Sequence, residues 1–373
     1  MDLLKSPFPI FTPNIPKPAN HTLITKVSIK PPPPDFNFKS QILTGSRAII
    51  SELHPELLDL ADEGTLVAIK KSQFGPVPAW RADFIEPEVI WLVGTNHVSE
   101  KSAVDVERVV QVVKPDNVVV ELCRSRAGIM YTLSETEVEL RLKSNPFSLS
   151  GSGFFGAVGR SINLGGQTAL ALRLLLATFS SKISSNINRP FGDEFRAARK
   201  ASEEISAQVV LGDRPIEITL QRAWNSLKWS EKLSLVTLVV RGITASSDQS
   251  KIEFKESTTD NNDFQLYEQL SFSYPSLLQP LIHERDTYIA WSLKRSKAVR
   301  NSKRVVGVIG RGHLNGVIYA LISDLGDLRF RDLVGERPST DGSWVNTIVK
   351  NLVRDTVIGV VIWALYEQIV KMN

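Results

Sequence analysis

Two histidines stand in the same local context near opposite ends of the chain. His97 closes the sequence Gly-Thr-Asn-His after the apolar run Val89–Val93, and His313 closes Gly-Arg-Gly-His after Arg304–Ile309. The chain has only 5 histidines, so the repeated context favours a shared role. Imidazole nitrogen binds zinc and other divalent metals, and it also serves as a general acid or base.

Two carboxylates follow apolar runs in the same way. Glu121 comes directly after Asn117–Val120, and Asp213 follows Gln208–Leu211 after one glycine. Carboxylate oxygens together with imidazole suit a divalent metal ion, and either carboxylate can accept a proton in catalysis. An acid or a histidine after a strand can equally be a helix cap or a loop group with satisfied hydrogen bonds, and this structural alternative stays open.

The four apolar runs predict strands of one sheet. Continuous apolar runs are typical of parallel strands that helices bury on both faces. Between the first two runs, the valines of residues 106–113 recur at helical spacing. Strand, helix and strand in this order form a βαβ unit with parallel strands. Because ligands bind at the carboxyl edge of open α/β sheets, we expect the two histidines and the two carboxylates to converge there.

Polar residues beside these four side chains are candidates for substrate binding. They are Arg124, Arg214, Arg311 and Asn96. A guanidinium group suits a substrate carboxylate or phosphate, or a developing oxyanion. Arg214 directly follows Asp213, so pairing with an acid inside the core is an equal alternative for its side chain.

The composition is that of a globular protein. The 373 residues are 42% hydrophobic and 23% charged, which allows one large domain or two smaller ones with ample core. A net charge of +4 without a basic stripe predicts no nucleic-acid partner. Cys123 is the only cysteine, which excludes an intrachain disulfide. We expect it to pack as a small apolar residue, with a catalytic thiol as the alternative.

The two ends of the chain differ from the region between them. Residues 1–40 are rich in proline and poor in acids, which predicts a disordered segment that resembles a transit peptide. The absence of arginine there favours the chloroplast over the mitochondrion. Residues 41–330 form the predicted α/β domain. Within residues 331–373, the apolar run Val357–Tyr366 has about half the length that spans a bilayer, so we predict a helix that caps the core. A membrane anchor or a dimer helix is the alternative.

Helices alternate with the strands along the chain, which favours an α/β fold with a mainly parallel central sheet. Further helices are predicted over residues 48–61, 124–142, 169–179, 193–207 and 277–299. The two Gly-x-x-His units suggest two related halves that meet at one site.

The segments in this order resemble the TraB family, which includes TraB and PrgY pheromone-shutdown proteins and animal TIKI proteases. The matching segments are Gly94–His97, Val120–Arg126, Gly212–Arg222, Glu284–Asp286 and Gly310–Gly316. The resemblance implies an α/β fold related to erythromycin esterase and ChaN proteins. For TIKI-like members it implies metal-dependent hydrolysis, with His97, Glu121 and His313 in the catalytic positions. With its transit-like segment the chain looks like a plant member, and plant members look associated with organelle membranes.

Two functions are consistent with these features. The first is a metal-dependent hydrolase of a peptide or a small acyl compound, in which His97 and His313 bind Mn, Co or Zn. Glu121 or Asp213 is then the third ligand, and the remaining carboxylate takes the proton. The second is a catalytically inactive protein of the same fold that binds a partner, a second copy or an organelle membrane. A strand-end ligand adds little packing, so His313→Ala or Glu121→Ala should remove activity and leave the fold intact.

Overall fold

A five-stranded mixed sheet lies at the centre of the computed structural model, which describes residues 29–78, 83–96, 99–131, 192–234, 274–326 and 328–334. The strands are β1 Leu66–Lys70, β2 Val89–Thr95, β3 Asn117–Val120, β4 Gln208–Leu211 and β5 Arg304–Gly310. Their order is β1-β2-β5-β3-β4. β1 is antiparallel to β2, and the other three pairs are parallel. The prediction of an α/β fold with a mainly parallel sheet is confirmed.

The last strand of the chain lies in the middle of the sheet. Gly310 of β5 pairs with Thr95 of β2, and Val308 of β5 pairs with Val120 of β3. The strands β2 and β3 are parallel, as the βαβ pattern predicts, but β5 separates them. The ends of three parallel strands are therefore immediate neighbours at the carboxyl edge.

Helices connect the strands and flank the sheet. The α-helices are α1 Phe38–Gln41, α2 Leu43–Leu53, α3 Leu58–Asp62, α4 Glu100–Val113, α5 Asp193–Glu204, α6 Ile216–Ser226, α7 Glu284–Arg295, α8 Arg311–Ile322 and α9 Phe330–Val334. The 3-10 turns are Pro55–Leu57, Lys71–Gln73, Ala127–Tyr131, Pro275–Leu277 and Lys297–Val299, and a π-helical turn covers Gln279–His283.

Both faces of the sheet are buried. Helices α2 to α5 pack on the face that carries Trp91 and Val118, and α7 and α8 pack on the face that carries Leu92 and Val119. Successive strand residues point to opposite faces, so a strand covered on both sides needs an unbroken apolar run. This is the physical reason why the apolar runs predicted these strands.

Several helices differ from the sequence prediction in their boundaries. The helix predicted over residues 48–61 is interrupted, because a residue before proline disfavours the helical conformation and Pro55 follows His54. His54 is consequently not a helix-surface residue, and its ring lies 5.2 Å from that of Trp91. The described part of the segment 124–142 forms a turn and a 3-10 helix rather than an α-helix. The helix α4 forms as predicted and ends where Lys114 adopts a left-handed conformation, with φ 47°.

The packed unit begins before residue 41. Phe36 and Phe38 are buried against α8, where Asn315 Oδ1 accepts the N–H of Phe38 at 3.0 Å. Residues 36–38 are therefore packed against the domain, because two aromatic side chains there have apolar partners. The predicted boundary between a disordered segment and the domain stays a prediction. Residues 1–28, 169–179 and 335–373 lie outside the described part of the chain, so the predictions made for them stay predictions. Within the described ranges, no helix has both the length and the apolar character needed to cross a bilayer.

A buried lysine gives the fold a predictable pH dependence. Lys294 donates to the carbonyl oxygens of Gly75, at 2.7 Å, and Leu321, at 3.2 Å. Burial, and secondarily the charge of Arg295, lowers its pKa to about 8, although Glu86 opposes the shift. An unfolded lysine titrates near ~10.4, so the unfolded chain holds more protons between the two values and stability rises with pH there.

We expect the unfolding free energy of the wild-type chain, relative to Lys294→Met, to rise by about 3 kcal/mol between about pH 8 and about pH 10. Urea unfolding at several pH values measures this difference. Lys297→Met is the matched control. Lys297 is nearby and exposed to solvent, so its removal should not change the pH dependence. A difference that stays flat across this range would contradict the prediction.

Candidate functional site

Three of the four predicted side chains meet at the carboxyl edge of the sheet. Glu121 directly follows β3, Asp213 lies two residues beyond β4, and His313 is in the first turn of α8. They are buried, with 5%, 3% and 6% of their surface exposed. The parallel strand directions bring them together, as expected. His97 lies outside the described residues, so its convergence with His313 stays a prediction.

Both carboxylate oxygens of Glu121 have partners. Oε2 accepts the backbone N–H of Gly310 at 2.8 Å. Oε1 accepts Nη2 of Arg285 at 2.5 Å and lies 3.3 Å from Nε2 of His313. The side chain therefore bridges the ends of β3 and β5, with one oxygen held by the backbone and the other turned toward the charged side chains.

His313 is held from behind by an acid of α7. Its Nδ1 lies 2.6 Å from Oδ1 of Asp286, and its Nε2 lies 3.0 Å from Nη1 of Arg285. Burial raises the pKa of Asp286, and the adjacent His313 opposes this shift. The contact engages Nδ1 with Asp286, so Nε2 is the ring nitrogen directed into the site. The buried Asp286 thus sets the orientation of the imidazole ring.

Asp213 is paired with two guanidinium groups. Its Oδ2 accepts Nη2 of Arg126, and it also accepts Nη2 of Arg285 at 2.9 Å. Its Oδ1 accepts the backbone N–H of Arg214 at 2.7 Å. Arginine contributes several donors in a fixed fork, which explains how one guanidinium group can serve two carboxylates at once.

These contacts define the edge cluster, which comprises Glu121, Asp213, Asp286, Arg126, Arg285 and His313. Three carboxylates face two guanidinium groups and one imidazole. Burial by itself lowers the pKa of His313, but the carboxylates of Glu121 and Asp286 outweigh burial and the charge of Arg285, so the pKa is raised. The two guanidinium groups and the imidazole give the buried carboxylates the partners that buried charges require.

The predicted substrate-binding arginines lie in three different environments. Arg124 is exposed. Arg311 is exposed at the start of α8, and its Nη2 donates to Oγ1 of Thr65 at 3.0 Å. Asn96 directly follows β2, and its backbone N–H donates to Oγ of Ser102 at 2.9 Å. None of the three has a hydrogen bond to the edge cluster within the described ranges.

Arg214 belongs to the core. Its side chain is fully buried and paired with Glu284, which also accepts Arg222. The remaining donors of Arg214 reach Oγ1 of Thr219 at 3.0 Å and the carbonyl oxygens of Pro280, at 2.6 Å, and Leu333, at 3.1 Å. Arg214 therefore pairs with an acid inside the core, as the structural alternative predicted, and its side chain is not a substrate contact. Its acid is Glu284 rather than Asp213, because its side chain points away from the edge cluster.

The sequence did not identify three members of the cluster. Arg126 lies where Arg124 was expected, and Arg285 and Asp286 reach the site from α7. The segment Glu284–Asp286 carried a signal, because three charged residues in succession cannot all share the solvent face of a helix. Cys123 is buried, with 1% of its surface exposed, and packs as a small apolar residue as expected.

The metal prediction meets a specific obstacle. Within the described part of the chain, no group of three or more His, Cys, Asp or Glu side chains is arranged to hold a metal ion. The donor atoms of Glu121, Asp213 and His313 are of the right kinds, but the guanidinium group of Arg285 lies between them.

A glycine of α8 leaves room for Asp286. A Cβ at Gly316 would overlap Oδ2 of Asp286, whereas a Cβ at the exposed helical Gly45 would meet nothing. We expect Gly316→Ala to lower the unfolding free energy by about 1–3 kcal/mol, because the carboxylate must move away from His313. Gly45→Ala, the matched control, should raise it by about 0.5–1 kcal/mol. Urea unfolding of both variants checks this, and a neutral Gly316→Ala would show that the carboxylate relocates without cost.

The fold and the site together define an α/β protein with a buried cluster of paired charges at the carboxyl edge of a parallel sheet. Residues 78–321 match the TraB/PrgY/gumN family, and this region is well over half of the chain and contains the whole edge cluster. The chain belongs to the TraB/PrgY/gumN family.

Individual relatives cover the same region. The human TraB domain-containing protein is 28% identical over 243 residues, which are 61% of each chain, and the bovine protein of the same name is 28% identical over 251 residues, which are 63% of each. An uncharacterized protein of Methanocaldococcus jannaschii is 25% identical over 232 residues, which are 61% of this chain and 52% of its own. The chain thus spans about three fifths of the length of its animal relatives.

Proposed function

We propose that this chain is a metal-dependent hydrolase of a peptide or a small acyl compound, with the edge cluster as its active site. The proposal is carried by the convergence of Glu121, Asp213 and His313 on one cationic position. Open α/β sheets bind ligands along this edge. The names of the relatives state no reaction, so the chemistry is argued from the side chains.

The donor atoms suit a divalent ion such as Mn, Co or Zn, which accept carboxylate oxygen and imidazole nitrogen. Oε1 of Glu121, Oδ2 of Asp213 and Nε2 of His313 each lie within 3.0 Å of a guanidinium nitrogen of Arg285, so they face one position. We propose Glu121, His313 and His97 as the ligands of this ion. When bound, such an ion acidifies water and polarises a carbonyl group.

The residues of the chain supply orientation and proton transfer. Asp286 holds Nδ1 of His313, so Nε2 stays directed into the site. The N–H of Gly310 holds Oε2 of Glu121 and leaves Oε1 facing the same point. Asp213 is then the carboxylate placed to accept a proton from the attacking water.

Substrate contacts are proposed at the open side of the cluster. We assign to Arg126 the substrate-binding role that the sequence predicted for Arg124. Arg126 contacts Asp213 and keeps 14% of its side chain exposed. A guanidinium group with this exposure suits a substrate carboxylate or an oxyanion. Arg311 and Asn96 border the same edge and remain proposed contacts.

Metal analysis and a hydrolysis assay test the proposal on the same preparation. The full chain is stripped with a chelator and reloaded with Mn, Co or Zn, and cleavage of a peptide library and of simple acyl esters is followed. We expect bound metal, and activity that disappears on chelation and returns on reloading. His313→Gln should remove the activity, and His54→Gln, an imidazole outside the cluster, should retain it.

The alternative is a protein that binds a partner, a second copy or an organelle membrane and performs no reaction. Its proposed contact segments, Ala169–Phe179 and Val357–Val370, lie outside the described residues. Metal-free protein that cleaves nothing, and whose membrane or partner binding survives His313→Gln, would favour this alternative. A chloroplast location stays a separate proposal, which import assays with residues 1–40 removed would test.

A further inference from the structure

Arg285 occupies the position on which the proposed metal ligands converge. Its Nη2 lies between Oε1 of Glu121, at 2.5 Å, and Oδ2 of Asp213, at 2.9 Å, while Nη1 lies 3.0 Å from Nε2 of His313. Its Nε adds contacts of 3.1 and 3.2 Å to the two oxygens of Asp213. One guanidinium group therefore contacts a side-chain acceptor atom just beyond the end of each of three strands, β3, β4 and β5.

This arrangement is incompatible with a metal ion at the same place. Carboxylate oxygens and imidazole nitrogens bind a divalent ion at only about 2.0–2.2 Å, so an ion shared by Glu121 and His313 would overlap the guanidinium group between them. The two positive charges would also repel each other at contact distance. Either Arg285 or the ion can occupy the centre of the cluster, but not both.

We infer that Arg285 is an internal cation that fills the site in the metal-free chain and must withdraw before a divalent ion binds. This inference rests on the proposed function. The resident guanidinium group neutralises Glu121 and Asp213 while no ion is present, so the metal-free fold avoids unpaired buried charge. The cost of withdrawal lowers the apparent affinity for metal, as for any ligand that binds a minor conformation.

The position of Arg285 suits this exchange. It is the second residue of α7, directly after the π-helical turn Gln279–His283, and such turns are frequent at functional sites. Its side chain keeps 14% exposure, so withdrawal toward solvent does not require the core to open. The neighbouring Glu284 and Asp286 hold α7 to the rest of the fold through Arg214 and His313.

Metal titration of variants tests the inference. Isothermal titration calorimetry with Mn²⁺ and Zn²⁺ is performed on the metal-free full chain and on Arg285→Met, which removes the charge and keeps an apolar stem. Arg126→Met is the matched control. It also removes a positive charge that pairs with Asp213, but the guanidinium group of Arg126 does not lie at the centre of the cluster. We expect Arg285→Met to bind metal at least ~10-fold more tightly than the wild-type chain, and Arg126→Met to show a much smaller gain.

Thermal unfolding supplies a second readout. Metal-free Arg285→Met should unfold at a lower temperature than the wild-type chain, and metal should raise its unfolding temperature by more. If Arg285→Met does not fold, Arg285→Lys replaces it. A single ammonium group cannot span three acceptors, so this variant should also bind metal more tightly than the wild-type chain.

The outcomes separate the inference from the function on which it rests. If the wild-type chain and the variants bind no ion, both fail. If the wild-type chain binds an ion and replacing Arg285 leaves the affinity equal or weaker, the inference alone is overturned. An equal gain from Arg126→Met would also overturn it, because loss of charge would then explain the effect.

Discussion

Glu121→Gln is expected to lower the proposed hydrolysis by about a thousandfold, because Glu121 is a proposed metal ligand. The amide keeps an oxygen for the N–H of Gly310, but it removes the negative charge that faces His313 and Arg285. The substitution therefore changes the chemistry of the site at nearly constant shape. Glu107→Gln, on the exposed side of α4, is the matched control and should retain full activity.

The same variant should also lose stability, which corrects an expectation from the sequence. Glu121 and His313 were expected to add little to the fold, but both are buried and joined to Arg285. Removing the charge takes away one of the two carboxylates that pair with Arg285 among the described residues, at a cost of about 2 kcal/mol. Activity per folded molecule, with the folded fraction taken from urea unfolding, is consequently the quantity to measure. Unchanged turnover by this quantity would give Glu121 a structural role only.

Glu284→Gln is expected to produce the largest loss of stability, about 3–5 kcal/mol. Arg214 is fully buried, and Glu284 is the acid that neutralises it and Arg222 together. Without the carboxylate, a guanidinium group stays in the core without its counter-charge. Urea unfolding measures the effect at neutral pH.

Arg222→Met is the matched control for this second prediction. It removes the half-buried partner and leaves the ion pair between Arg214 and Glu284 in place. A loss of about 1 kcal/mol is expected, because only the more exposed pair is broken. Equal losses from the two substitutions would show that burial of Arg214 is not the source of the instability.

The strands and their functional ends could be predicted from local sequence. A strand covered on both faces must be apolar throughout, so runs such as Asn117–Val120 carry their own signal, and the first polar residue after each run lies at the sheet edge. Glu121, Asp213 and His313 were found in this way. The helix α4 was predicted for the same kind of reason, because one apolar stripe at helical spacing marks the face that packs on the sheet.

The partners of these side chains could not be predicted, because they depend on contacts between distant parts of the chain. Arg285 and Glu121 are 164 residues apart, and Arg285 reaches the cluster only because α7 packs on the sheet with its first turn at the carboxyl edge. Periodicity shows which helix residues share a face, but not which strand end that face meets. For Arg124 and Arg126, nearness in sequence to Glu121 could not show which one turns inward.

Local sequence was sufficient to predict the α/β class, the family resemblance and three of the charged side chains at the edge, because apolar runs and the residues that end them are local properties. The folded structure was needed to show that β5 lies between β2 and β3, that Arg214 belongs to the core, and that Arg285 fills the centre of the edge cluster. Strand order and the pairing of buried charges are set by the packing of whole elements, since each buried charge must find its counter-charge wherever the fold places one.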